Sequence, residues 1–158
     1  MTDKFILDAC CGGRMFWFNK HHPNTVYIDN EPRTIRGGTE CKPDIVMDFT
    51  KMIFPDRWFR LVVFDPPHLK TLGETSIMRK KFGCLNKQTW QYDLKRGFEE
   101  CWRVLQDYGI LIFKWNESEI SSNHVLRLFH TQPLFGHREA SDSKTKWFCF
   151  MKIPKGEL

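Results

Sequence analysis

Long hydrophobic runs are missing from this sequence: none approaches the roughly 20 apolar residues of a membrane span, so membrane-spanning helices are excluded. A charged leader with an apolar stretch and a cleavage site is missing too. The first residues, MTDKFILDACCGG, run straight into a strand-like segment, and the expectation is a cytoplasmic protein. Six cysteines are present, Cys10, Cys11, Cys41, Cys84, Cys101 and Cys149, but none forms a CxxC pair and no HxxxH accompanies them, so no metal site is expected. The adjacent pair Cys10-Cys11 reads as reduced thiol in a reducing compartment, with nucleophilic use the minor alternative. Internal repeats, low-complexity tracts and interdomain linkers are also lacking, and 158 residues make one domain spanning 1–158.

A hydrophobic share of 41% against 27% charged residues belongs to a folded soluble chain and excludes disorder. The net charge of +5 is local. Between Leu69 and Arg96 there are seven basic residues and two acidic ones, and the rest of the chain carries 17 of each. A local positive field steers anions.

Short apolar runs alternate with amphipathic stretches, which is the pattern of an α/β fold with a parallel sheet. Strands are expected at Lys4–Ala9, Thr25–Asp29, Asp44–Met47, Arg60–Asp65, Gly109–Trp115, Leu134–Arg138 and Lys146–Ile153. The last two face each other across Ala140-Ser141-Asp142-Ser143 as a terminal antiparallel hairpin. Helices are expected at Gln88–Leu105 and Ser118–Phe129, with a shorter one at Met15–Lys20. In the first, Trp90, Leu94, Phe98, Cys101, Trp102 and Leu105 recur at spacings of three and four. The least patterned stretch, 69–87, reads as a substrate-facing loop.

Three turns carry chemistry. Asp8-Ala9-Cys10-Cys11-Gly12-Gly13 follows the first strand, and small residues there let a ligand approach the backbone closely. The second strand ends in Asp29, whose carboxylate can accept from both hydroxyls of a ribose. The GxGxxG pyrophosphate fingerprint is absent, so a ribose-bearing ligand without pyrophosphate fits better than a dinucleotide. After the third strand, Asp48-Phe49 offers a carboxylate to an adenine amino group and a ring to its face; a capping Asp beside a core Phe explains the same pair. After the fourth, Asp65-Pro66-Pro67-His68 fixes the backbone with two prolines. The Asp65 carboxylate and the Pro66 carbonyl can then hold the two hydrogens of a flat amine, and His68 can stack on its ring.

At these residues the sequence resembles class I S-adenosylmethionine (SAM)-dependent methyltransferases. The likeness is to the amino-methylating group whose fourth strand ends in Asp/Asn/Ser-Pro-Pro-aromatic, which includes the N6-adenine DNA methyltransferases, in the compact form carried by phages and prophages. His68 departs from the usual Tyr, Phe or Trp. The resemblance implies a Rossmann-like methyltransferase fold, with a seven-stranded, mostly parallel sheet, a C-terminal antiparallel hairpin and helices on both faces. It implies SAM as cofactor, bound by Asp8, Ala9, Cys10, Gly12, Asp29, Asn30, Asp48 and Phe49, and catalysis by Asp65, Pro66, Pro67 and His68. The implied substrate is an exocyclic amine of a nucleic-acid base, adenine N6 in DNA first. RNA, a protein amide or a small molecule remain open, as does a non-catalytic binding subunit.

Lys70, Arg79, Lys80, Lys81 and Lys87, interleaved with Phe82, Trp90 and Tyr92, suit a phosphate backbone with stacked bases, DNA before RNA. A solvated charged loop with Trp90 in the core is the alternative. No segment is long enough for a recognition domain, so sequence selectivity falls to the 69–87 loop or to a partner, and a homodimer is left open. Lys114, Trp115 and His21-His22 read as ordinary structural or surface residues.

Overall fold

The computed structural model describes residues 3–34, 40–71, 73, 76, 83–137 and 142–156. Along the chain come β1 (Ile6–Asp8), β2 (Thr25–Asp29), β3 (Arg33–Thr34), β4 (Glu40–Cys41), β5 (Ile45–Val46) and β6 (Phe59–Phe64). They are followed by helix α1 (Trp90–Val104), β7 (Leu105–Asn116), helix α2 (Ser122–Leu126), β8 (Phe135–Gly136) and β9 (Thr145–Met151). Seven strands make one sheet in the order β5-β2-β1-β6-β7-β9-β8. From β5 to β7 every pairing is parallel, while β9 runs antiparallel to both β7 and β8. This is a Rossmann-like sheet: its parallel part follows the order of doubly wound nucleotide-binding folds, with a reversed hairpin added at one side. None of the described helices is long and apolar enough to cross a membrane.

All seven expected sheet strands form, some shorter and β7 longer than the sequence suggests. β2 is buried along its whole length, Thr25 to Asp29, as a parallel strand covered on both faces must be. The β3–β4 hairpin was not expected, since two residues per strand leave no period to read.

α1 lays Trp90, Leu94, Phe98 and Cys101 into a core with Leu7, Phe64, Leu111, Phe113 and Phe150. Each such side chain contributes on the order of 1.5–3 kcal/mol by leaving water. α2 packs beside it with His124 edge-on to Trp90 at 5.3 Å, and just past α2 Phe129 stacks on Phe98 with centroids 4.0 Å apart. Gly97 brings the α1 backbone close to the sheet: a Cβ there would sit 2.4 Å from Phe49 Cδ2 and 2.9 Å from Phe64 Cζ.

Two helix expectations need correction. Residues 15–20 form turns instead of a helix, and side-chain contacts to distant parts of the chain hold that path. Arg14, at a left-handed φ of 53°, donates to the Lys20 carbonyl at 2.6 Å and the Lys42 carbonyl at 2.7 Å, and lies on the Tyr27 ring. The Trp17 indole donates to Asp8. This aromatic segment packs on the sheet face opposite α1 and α2, with Trp17 edge-on to Tyr27 and Phe16 to Trp147. The expected helix at Ser118–Phe129 shrinks to α2. Glu117 accepts from the Ser122 N–H at 2.8 Å, the Trp115 indole holds the Ile120 carbonyl, and Ser121 caps the first turn.

Candidate active site

The parallel pairing brings the carboxyl ends of β1, β2, β6 and β7 together, and a cavity of about 470 Å³ opens above them. That volume suits a ligand of nucleoside size. Its wall includes Ala9, Cys10, Gly12, Asp29, Asn30 and Phe49 from the expected cofactor set, and Asp65, Pro66, Pro67 and His68 from the expected catalytic set. Residues that sequence reasoning did not assign also line it, among them Phe16, Arg33, Lys114, Asn116 and Thr145.

On the β1–β2 side, Gly12 takes a left-handed φ of 46° and donates its N–H to Asp29 Oδ2 at 3.0 Å. A Cβ on Gly12 would meet nothing within 4 Å, so the turn presents open backbone to the cavity. Arg33 donates to Asp29 Oδ1 at 2.8 Å and reaches the Asn30 side chain at 3.2 Å. The buried Arg33 Nε has no hydrogen-bond partner among the described residues. Cys11, Asp29 and Cys41 bring three potential metal ligands within 4.8 Å of one another. The cation beside them is the Arg33 guanidinium, which also lies 3.7 Å from Cys41 Sγ. Cys11, hydrogen-bonded to the free thiol of Cys41 and buried, has its pKa pushed upward, and burial does the same to Cys10. Both shifts favour the thiol over the thiolate and so weigh against the nucleophilic alternative.

Two members of the expected cofactor set stand back from the wall. Asp8 is fully buried, with Oδ2 accepting from the Trp17 indole at 2.7 Å and Oδ1 from the Cys10 N–H at 3.3 Å. Burial raises its pKa from 3.8 to about 7. Asp48 Oδ1 accepts from the Thr50 N–H and hydroxyl, both at 2.8 Å, so its carboxylate serves a turn. Phe49 alone of that pair reaches the cavity, with its ring edge-on to Phe64.

On the β6–β7 side, Asp65 Oδ2 accepts from Lys114 Nζ at 2.6 Å. Burial pushes the Asp65 pKa up, and the Lys114 charge draws it back. His68 stands edge-on to Trp115, its pKa lowered by burial and then by Lys114, so the ring is neutral near pH 7. The chain beyond is braced on both flanks. The Leu69 carbonyl accepts from the Leu85 N–H at 2.8 Å, and Glu119 accepts from the Lys70 N–H at 2.9 Å. Lys70 is half-buried with Nζ 5.3 Å from the Trp90 ring, Trp90 itself is in the core, and Lys87 is exposed. Arg79, Lys80, Lys81 and Phe82 lie outside the described residues.

No family model and no curated protein matches the chain. Solved structures do. The PH0226 protein of Pyrococcus horikoshii OT3 is similar over 97% of this chain and 83% of its own, with a TM-score of 0.54 at 14% identity. HI0767 of Haemophilus influenzae, a candidate methylase, is similar over 96% of this chain and 88% of its own, with a TM-score of 0.51 at 11% identity. The antibiotic-resistance methyltransferase Kmr is 13% identical over 96% of this chain and 88% of its own, with a TM-score of 0.49. Likeness at such identities concerns the fold.

Proposed function

We propose that this protein transfers a methyl group from SAM to an exocyclic amine of a nucleic-acid base, with adenine N6 in DNA the first target. One observation carries the reading: a single cavity joins the Gly12–Asp29 turn region to Asp65-Pro66-Pro67-His68. A nucleoside seat and an amine clamp thus share one space. The description of HI0767 as a candidate methylase agrees with it.

The residues present fit SAM. Each Asp29 oxygen has spare acceptor capacity beyond its Gly12 and Arg33 bonds, as a ribose hydroxyl requires. The open backbone at Gly12 and the unpartnered Arg33 Nε lie on the same side. When bound, SAM supplies an electrophilic methyl on a sulfonium. The chain's own part is to present the nitrogen. Asp65 and the Pro66 carbonyl take the two amino hydrogens, which turns the nitrogen lone pair out of conjugation. The Asp65 charge stabilises the positive charge that develops there. Neutral His68 stacks on the base.

Purified protein incubated with radiolabelled SAM and, separately, duplex DNA, single-stranded DNA, RNA and protein should label duplex or single-stranded DNA, dependent on adenine. Label in RNA or protein alone would move the substrate class. SAM binding with no label anywhere would identify a non-catalytic subunit. Neutralising Arg79, Lys80 and Lys81 together should weaken nucleic-acid binding and flatten its salt dependence while SAM affinity stays unchanged.

A further inference from the structure

In the parallel pairing of β6 and β7, Phe64 stands beside Phe113, so Asp65 and Lys114, the next residues, are neighbours at the carboxyl edge of the sheet. Lys114 belongs to the face of β7 opposite Leu111, Phe113 and Trp115, which are buried in the core. Its Nζ donates to Asp65 at 2.6 Å and lies 5.4 Å from the Phe16 ring centroid and 5.7 Å from that of Trp147. Those two rings meet edge to face at 5.5 Å. A carboxylate and two aromatic rings thus hold an ammonium, a combination that suits cations.

The position matters because of what the ammonium resembles. It is a nitrogen donating N–H to the Asp65 carboxylate, as a base amine would in the reading proposed above. Ion-paired as an ammonium it has no lone pair, so it can stand in the nucleophile's place without being methylated. We propose that Lys114 is a positioning residue that fills the target-amine subsite in the free protein and yields the Asp65 oxygen to the incoming amine. This inference rests on the methyl-transfer reading for its substrate but not for its electrostatics.

Asp65 is faced by Lys114 from β7 and by Asp8 and Cys10 from β1 and the turn after it, while His68 of its own turn feels Lys114 and Glu119. Among these the cation at hydrogen-bond distance is Lys114. Burial raises the Asp65 pKa and Lys114 opposes it, so removing Lys114 should let Asp65 hold its proton to higher pH.

The test compares Lys114→Met, which keeps a long apolar stem against the rings, with Lys114→Arg, which keeps the charge. Two readouts are taken: the carboxyl titration of Asp65 by carbon NMR in the free protein, and the pH profile of methyl transfer to an adenine-containing duplex oligonucleotide. In Lys114→Met the Asp65 titration and the acid limb of kcat/KM should move up by about one pH unit or more. KM should fall, and the loss of kcat should be steepest on the acid side of the profile. Lys114→Arg should restore the parental limb. An unmoved titration in Lys114→Met overturns the proposal whether or not methyl transfer occurs. If DNA is labelled but kcat collapses at every pH, Lys114 does chemistry instead of holding a place, and the proposal falls while the methyl-transfer reading stands. A shifted titration in a protein that labels no nucleic acid would support the Lys114–Asp65 coupling and overturn both the amine exchange and the methyl-transfer reading.

Discussion

Arg33 reaches back four residues to close on Asp29: guanidinium and carboxylate are 2.8 Å apart, with side chains 11% and 8% exposed. Removing one member of so buried a pair strands the other. Arg33→Met should therefore lower stability by about 3–5 kcal/mol, and adding Asp29→Asn should recover much of it. Denaturant unfolding of the two single variants and the double variant measures the coupling, and additive losses would show that the pair does not act as a unit.

The cofactor assignment is tested at the same carboxylate. Asp29→Ala removes charge-assisted bonds to a ribose worth about 1.5–3 kcal/mol, so SAM affinity should fall roughly 10- to 100-fold by calorimetric titration. Equal affinity in parent and variant would sink the ribose role.

At the opposite end of the cavity, Asp65→Ala should leave SAM affinity intact while methyl transfer drops by ~10²–10³. Asp65→Asn, with an acceptor oxygen in the same place, should keep part of the activity. His68→Phe should be tolerated as a stacking surface. An inactive His68→Phe beside an active His68→Asn would mean that His68 handles a proton and that the clamp mechanism is wrong.

What the sequence made legible was local. Gly12, Asp29 and Asp65 each sit where a strand ends in a turn whose glycines or prolines have a conformational meaning, so their positions could be read without knowing the sheet order. Arg33 and Lys114 enter the site through long-range geometry instead. Lys114 owes its place to the register Phe64 to Phe113 across residues 49 apart in sequence. A lysine near the end of an otherwise apolar strand, Ile110 to Trp115, was the available sign. Arg33 lies on a strand of two residues, too short for a period. Asp8 and Asp48 show the converse: each carries the expected residue type at the expected strand end, yet Trp17 and Thr50 claim their oxygens. For residues 15–20, apolar spacing cannot show the long-range contacts of Arg14 and Trp17 with Asp8 and Tyr27 that hold them in turns.

Asp8 makes stability depend on pH. Its folded pKa of about 7 lies above its ordinary value of 3.8, so the folded state binds the proton more tightly than the unfolded chain. That contribution is complete below about pH 4 and is lost as pH rises to 7, a span of about 4 kcal/mol. Asp8→Asn keeps an acceptor for Trp17 and should flatten the slope, gaining on the parent at pH 8 relative to pH 5. Parallel denaturant midpoints for the two proteins across that range would refute it.

Gly97→Ala sets helix propensity against space. Alanine favours the helix by about 1 kcal/mol, but its methyl lands on the Phe49 ring and must push it. Because Phe49 lines the cavity, the variant should both melt lower and bind SAM more weakly. A higher melting temperature with unchanged affinity would show that the ring has room to give.

The two outermost strands of the sheet, β5 and β8, are two residues long. A neighbouring chain that tried to extend the sheet would find only a short ladder of backbone donors and acceptors on either flank. Among the described residues, these two flanks therefore give strand addition, the route to swapped polymers and fibrils, a template only two residues long.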